Sequence, residues 1–146
     1  MKLLFYTPVS LLAGGGCERW HCDVTLSLKK MFGDDIQVVT GNLGQHKWSQ
    51  EYLKSQLTVP YEELAFSIFF GSLLPTPTIF IRLLKHFQQA DVIHFIYGFW
   101  GQEILMLMMK MITGKRVIVG HHAPIFHKNW FHTFQLKFFS RCFLNF

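Results

Sequence analysis

The sequence predicts an α/β domain built on a doubly wound parallel sheet, and three observations predict it. Short apolar runs recur at residues 3–6, 36–40, 91–96 and 116–120. They lack the polar alternation of a half-exposed strand, as expected of strands covered on both faces. Helical periodicity fills the stretches between them, so strands and helices alternate along the chain. The chain has 146 residues, half of them hydrophobic, which suits one such domain.

Taken in order, residues 3–6 are a buried strand ended by Thr7 and Pro8. Gly14-Gly15-Gly16 follow, and then Trp20, Val24, Leu28, Met31 and Phe32 mark one face of a helix. Gly33, Asp34 and Asp35 end it, and residues 36–40 give the next strand. Strand, glycine turn, helix and strand make a βαβ unit with a right-handed crossover. Residues 41–61 are polar and interrupted by Gly41, Gly44 and Pro60, with a weak helix at 50–56. Residues 64–81 carry no charge and reach the length of a membrane span. Gly71, Pro75 and Pro77 interrupt them, so they read as two buried or surface-apposed segments. Ile79, Leu83 and Phe87 then continue a helical stripe.

The second half repeats the alternation. Residues 91–96 are a strand, and 99–112 are apolar apart from Gln102, Glu103 and Lys110, as in a helix buried nearly all round. Thr113-Gly114-Lys115 caps it, 116–120 is the last strand, and 129–146 reads as a helix. That helix carries Phe131, Phe134, Phe138, Phe139, Phe143 and Phe146, with no Gly, Pro or polar cluster to end it. The sequence is therefore expected to be cut short.

Only 16% of the residues are charged, against about 25% in an average soluble domain. This excludes intrinsic disorder, a collagen-like repeat and a disulfide mini-scaffold. The surplus of apolar surface calls for a partner, a second domain or a lipid head-group layer. Charge is unevenly placed: residues 1–103 hold eight basic and nine acidic side chains, whereas 104–146 hold six basic and no acidic ones. A basic, aromatic-rich end suits phosphate, nucleic acid or an anionic membrane surface. Because the basic residues are scattered and the aromatics follow apolar patterns, no nucleic-acid partner is expected. Lys137 and Arg141 sit four apart beside the Phe face, as in helices lying on anionic membranes; the other reading is a core-facing helix whose partner elements are missing. Cys17, Cys22 and Cys142 are an odd number without repeating spacing, and the apolar run before Pro8 is too short for a signal peptide. A cytoplasmic protein is the simpler reading, with peripheral contact at the inner membrane face left open.

In an open parallel sheet, ligands sit outside the carboxyl ends of the strands. Three stretches deliver unusual residues there. Gly14-Gly15-Gly16-Cys17-Glu18-Arg19 opens a helix, where close backbone approach, free N–H groups and the helix dipole favour a phosphate. It is neither the dinucleotide fingerprint nor a Walker A loop, and the alternative is a plain strand-to-helix turn. His94 with Tyr97 ends the third predicted strand; His121-His122 and then Lys128 follow the last one. Histidine exchanges a proton near neutral pH and also hydrogen-bonds hydroxyls and phosphates, although a single one is as readily a structural residue. Cys17, His21 and Cys22 share one helix but form no established metal motif, and no Gly-x-Ser-x-Gly is present. Neither a metal nor another cofactor is expected.

The order of these motifs resembles the N-terminal, acceptor-side domain of the retaining group 1 (family 4) glycosyltransferases of GT-B fold. The matching pieces are residues 2–6, Gly14–Arg19 for a Gly-Gly-x-Glu/Ser loop, 36–40, Asp91-Val92-Ile93-His94, and 116–122; residues 41–90 match loosely. The resemblance implies a Rossmann-like sheet over residues 1–146, forming the N-terminal half of a GT-B fold. It implies transfer of a sugar from a nucleotide-sugar to a glycan, lipid or small-molecule acceptor. Gly15 and Gly16 would lie on the donor diphosphate, His122 at the reaction centre, and His94, Tyr97, His121 and Lys128 on the acceptor side. The pattern's second strand-end His is Ile96 here. The family's donor domain carries a spaced pair of glutamates, and no acidic residue follows Glu103, so a donor-binding domain or subunit is expected to be missing from this chain. The other class considered is a non-catalytic α/β module that docks on a membrane or partner.

Overall fold

The computed structural model describes residues 1–69, 72–96, 102–120 and 138, with residues 68–69 and 72–74 described by backbone alone. Tyr97, His121, His122, Lys128 and the helix expected at 129–146, Phe138 apart, lie outside the described residues.

β1 spans Leu3–Val9, longer than the apolar run because Pro8 does not end it. Proline has no N–H to give to a sheet and is tolerated where pairing is already broken. Here the register of β1 with β2 (Ile36–Leu43) shifts between Thr7 and Val9, and pairing with β6 (Val92–Ile96) stops at Tyr6. Gly41 of β2 lies directly against this irregularity. A Cβ there would collide with the Pro8 carbonyl oxygen and come within 3.0 Å of its carbonyl carbon and Cα.

The sheet runs β3-β2-β1-β6-β7, with β3 at Tyr61–Glu63 and β7 at Arg116–Gly120, and every pair is parallel. The predicted parallel α/β sheet is present. β3 was not predicted: three residues flanked by Pro60 are too few to show periodicity within the polar stretch 41–61. The weak helix at 50–56 is α2, Gln50–Gln56, capped by Ser49, whose hydroxyl accepts from the Tyr52 amide. The uncharged stretch divides into a two-stranded antiparallel ribbon, β4 (Ser67–Phe69) with β5 (Ser72–Leu74), and the start of α3, Pro77–Gln89. Pro77 begins that helix instead of breaking one, at a first-turn position where its missing N–H has no partner to lose. No helix among the described residues is long and apolar enough to cross a membrane.

Helices cover both faces. Leu4, Tyr6, Ile93 and Phe95 point to one side and pack with Leu83 and Phe87 of α3 and Met106 and Met109 of α4 (Gln102–Thr113). Phe5, Ile36 and Val38 point to the other, beneath Cys22 of α1 (Gly16–Phe32) and Leu53 of α2. The expected apolar face of α1 packs on the core in part, through Trp20, Val24, Leu28 and Phe32, and the expectation for α4 fails. The face of α1 that is fully buried carries Glu18, His21, Cys22 and Thr25, while Trp20, Val24, Leu28 and Phe32 are only partly covered and Met31 is 75% exposed. Thr25 returns its hydroxyl to the His21 carbonyl at 2.6 Å, so its burial leaves no donor unpaired. α4 is not buried all round. Its polar residues Gln102, Glu103 and Lys110 are inside, and Ile104, Met108, Met111 and Ile112 are exposed. The Gln102 side chain is drawn in by the Tyr6 hydroxyl, which donates to its Oε1 at 2.6 Å.

Candidate functional site

The chain winds from β1 to β2 and β3 on one side, then restarts at β6 and proceeds to β7 on the other. The direction reverses between β1 and β6, and in open α/β sheets such a switch point opens a crevice at the carboxyl edge. Because all pairs are parallel, the glycine turn after β1 and the carboxyl ends of β6 and β7 lie at the same edge of the sheet.

The glycine turn is built step by step. Ser10, fully buried, caps a single 3-10 turn (Leu11–Ala13) by accepting from the Leu12 amide at 3.1 Å. Gly14 closes that turn at φ +66°, in the left-handed region that L side chains rarely adopt. The Trp48 indole lies where a Cβ on Gly14 would be, 2.6–2.9 Å from it, and the Lys47 and Trp48 amides bind the Leu12 carbonyl at 2.7 and 3.0 Å. Gly15 is the N-cap of α1, extended and without a side-chain cap, and Gly16 is its first residue. The space a Cβ would take on Gly16 is open. First-turn amides of α1 thus face an uncovered glycine backbone, the arrangement that suits an oxyanion. Glu18 sits in this first turn, buried, its carboxylate 2.5 Å from where a Gly15 Cβ would stand. A carboxylate there is favoured by the positive helix end.

His94 is the third residue of the five in β6, opposite Phe5. Its half-buried ring lies 5.2 Å from the Phe5 ring and 5.4 Å from Trp20 of α1. It is placed between the sheet and α1. His21 is fully buried, its Nδ1 3.0 Å from the Cys17 carbonyl oxygen. Burial, aided by the Glu18 charge, raises the Cys17 thiol to about 11; burial, with Asp23 next, raises Cys22 to about 11. Both are thiols, not thiolates, at neutral pH. In the native protein they are expected to react with iodoacetamide well below the rate of a free cysteine, and rates matching a small thiol would contradict this.

A second polar group, not foreseen, stands at the carboxyl edge of β1, β2 and β3. Glu63 Oε2 accepts from the Ser10 hydroxyl and, at 3.0 Å, from the Tyr61 hydroxyl; Tyr61 also meets Thr40 Oγ1 at 3.2 Å. Burial, offset by the Thr40 bond and reinforced by the Glu63 charge, lifts the Tyr61 phenol to about 12. Burial also holds Tyr6 well above 10. Unfolded tyrosines ionise first, near 10. The two phenols therefore contribute nothing below that pH; Tyr61 removes stability between about 10 and 12, and Tyr6 removes it from about 10 upward. The thiols act the same way between about 9 and 11. The denaturant midpoint is expected to be level from pH 7 to 8 and to fall above 9; a midpoint that rises there would contradict these shifts. No single signal in the sequence marks Glu63, because Ser10 is 53 residues away and the Thr40 that meets Tyr61 lies on another strand. A smaller cavity of about 240 Å³, lined by Lys2, Asp35, Gln37 and His86 among others, lies at the opposite, amino edge.

No family model matches the chain, and no curated protein matches it. Among solved structures it is similar to Anabaena HepE, crystallised in complex with UDP and glucose, at a TM-score of 0.61 and 18% identity. The match covers 100% of this chain and 36% of that one, so this chain spans about a third of that protein's length. The likeness supports the Rossmann-like, glycosyltransferase-like fold that the sequence leads one to expect, and at this identity it is a likeness of fold alone.

Proposed function

We propose that this chain supplies the acceptor-side half of a retaining GT-B glycosyltransferase of group 1, which moves a sugar from a nucleotide-sugar to a glycan, lipid or small-molecule acceptor. The observation that carries the reading is the uncapped glycine turn opening α1 at the point where the sheet reverses its winding. The UDP and glucose bound by HepE, a chain of similar fold, support it further. In this reading the amides around Gly15 and Gly16 hold the donor diphosphate as negative charge develops on the leaving group. His122 orients the attacking hydroxyl at the reaction centre, and Tyr97, His121 and Lys128 contact the acceptor. His94, expected on the acceptor side with them, has its ring packed on Trp20 of α1. A donor-binding domain or subunit outside this sequence completes the cleft.

Calorimetric titration with UDP tests this. The chain is expected to bind UDP weakly, and Gly15→Val, whose side chain would meet the Glu18 carboxylate, to weaken binding at least about tenfold, the equivalent of one charge-assisted hydrogen bond. Equal affinity in both proteins would sink the reading. The chain by itself is expected to show no transferase turnover. A second reading, a module docking on membrane or partner, is favoured by the exposed stripe Ile104, Met108, Met111 and Ile112 on α4. Co-sedimentation with anionic liposomes, abolished by charged substitutions at Met108 and Met111, would speak for it.

A further inference from the structure

Beside the glycine turn, α2 and β3 enclose a cavity of about 540 Å³, within the roughly 300–1,000 Å³ of small-molecule sites. Its floor is apolar, formed by Leu53, Leu57 and Val59. Its polar groups are Gln50 and Lys54 of α2, His46, and Tyr61 and Glu63 of β3.

Glu63 is fixed before any ligand arrives. Hydroxyls of the buried Ser10 and of Tyr61 both donate to Oε2, which holds the carboxylate in one orientation. The other oxygen, Oε1, lies 3.9 Å from Nε2 of the half-exposed His46, too far for a hydrogen bond, and keeps its acceptor capacity. Charge in the cavity is close to balanced. Lys54 opposes Glu63, and the other carboxylate of the lining, Glu62, is already engaged by Arg82 and, at 2.9 Å, by His86. An anionic ligand would be repelled by Glu63. A hydroxyl can donate to Oε1 and accept from Lys54 or Gln50, while the apolar floor takes the C–H face of a ring. We propose that this cavity binds a neutral polyhydroxylated ring, a sugar or cyclitol, through Glu63.

The test is amide chemical-shift mapping on the whole chain, with methyl α-glucoside and inositol as probes and, separately, UDP. At least one probe is expected to give saturable shifts at Lys54 and Glu63. Its affinity is expected to fall about tenfold or more in Glu63→Gln, where a charged acceptor becomes a neutral one. Lys54→Ala, at an exposed helix position that cannot unfold the domain, is expected to weaken it too. UDP shifts at Gly15 and Gly16 should survive in both variants. No saturable shift at these residues with either probe, or unchanged affinity in both variants, overturns the proposal. Probe binding without UDP binding supports the cavity and contradicts the donor reading; UDP binding without probe binding does the reverse.

Discussion

Gly41→Ala is expected to destabilise the protein by about 3–5 kcal/mol, at the upper end of overpacking costs. The added methyl group would meet backbone, the carbonyl of Pro8, and not the movable end of a side chain. β1 and β2 are the central pair of the sheet, bonded from Leu3–Ile36 to Val9–Leu43, so neither strand can retreat without opening the ladder. Such a loss is a large fraction of the stability of a domain, typically about 5–15 kcal/mol. Pro8→Ala is expected not to rescue the variant, because the clash is with a main-chain oxygen. Gly16→Ala is the control: its Cβ enters open space at a helix start, and the denaturant midpoint should hold within about 0.5 kcal/mol. Equal midpoints for Gly41→Ala and Gly16→Ala would refute this account of the β1–β2 crossing.

Gly14→Val is the second large effect, expected at about 3 kcal/mol. A β-branched residue at φ +66° is strained by roughly 1–2 kcal/mol, and its side chain would displace the Trp48 indole. Trp48 packs on the cluster under α1 and α2, and its ring meets Tyr52 at 5.1 Å. Its displacement should therefore also reach the glycine turn and the neighbouring cavity. Equilibrium unfolding and Trp fluorescence together check this. A stable variant with unchanged Trp emission would show that Gly14 is not held by the indole.

Much of the fold could be read from the chain because it is written locally. The last strand, at 116–120, and the short helix at 50–56 coincide with the observed elements, since each depends on its own run of residues and its own cap. The failures come from hydrogen-bond partners that an apolar pattern does not show, some distant along the chain and some within one helix. Gln102 reads as the outward side of α4 until the Tyr6 hydroxyl, 96 residues away, supplies its partner. Thr25 and His21 look too polar for the buried face of α1 until backbone carbonyls within the helix satisfy them. The candidate site divides in the same way. Gly14-Gly15-Gly16 announces itself as a backbone that can approach a ligand. Glu63 does not, because Ser10, 53 residues away, and the Thr40 that holds Tyr61 are brought beside it only when β1, β2 and β3 align. His94 marks the intermediate case, a residue legible as unusual whose ring the fold packs against Phe5 and Trp20.

The account turns on the turn after β1 being the place where a diphosphate is held. Crystals of the chain soaked in UDP would test it most directly. Diphosphate oxygens within about 3 Å of the Gly16 and Cys17 amides are the expected result. A diphosphate bound instead at the amino edge of the sheet, beside Lys2 and Gln37, would contradict it.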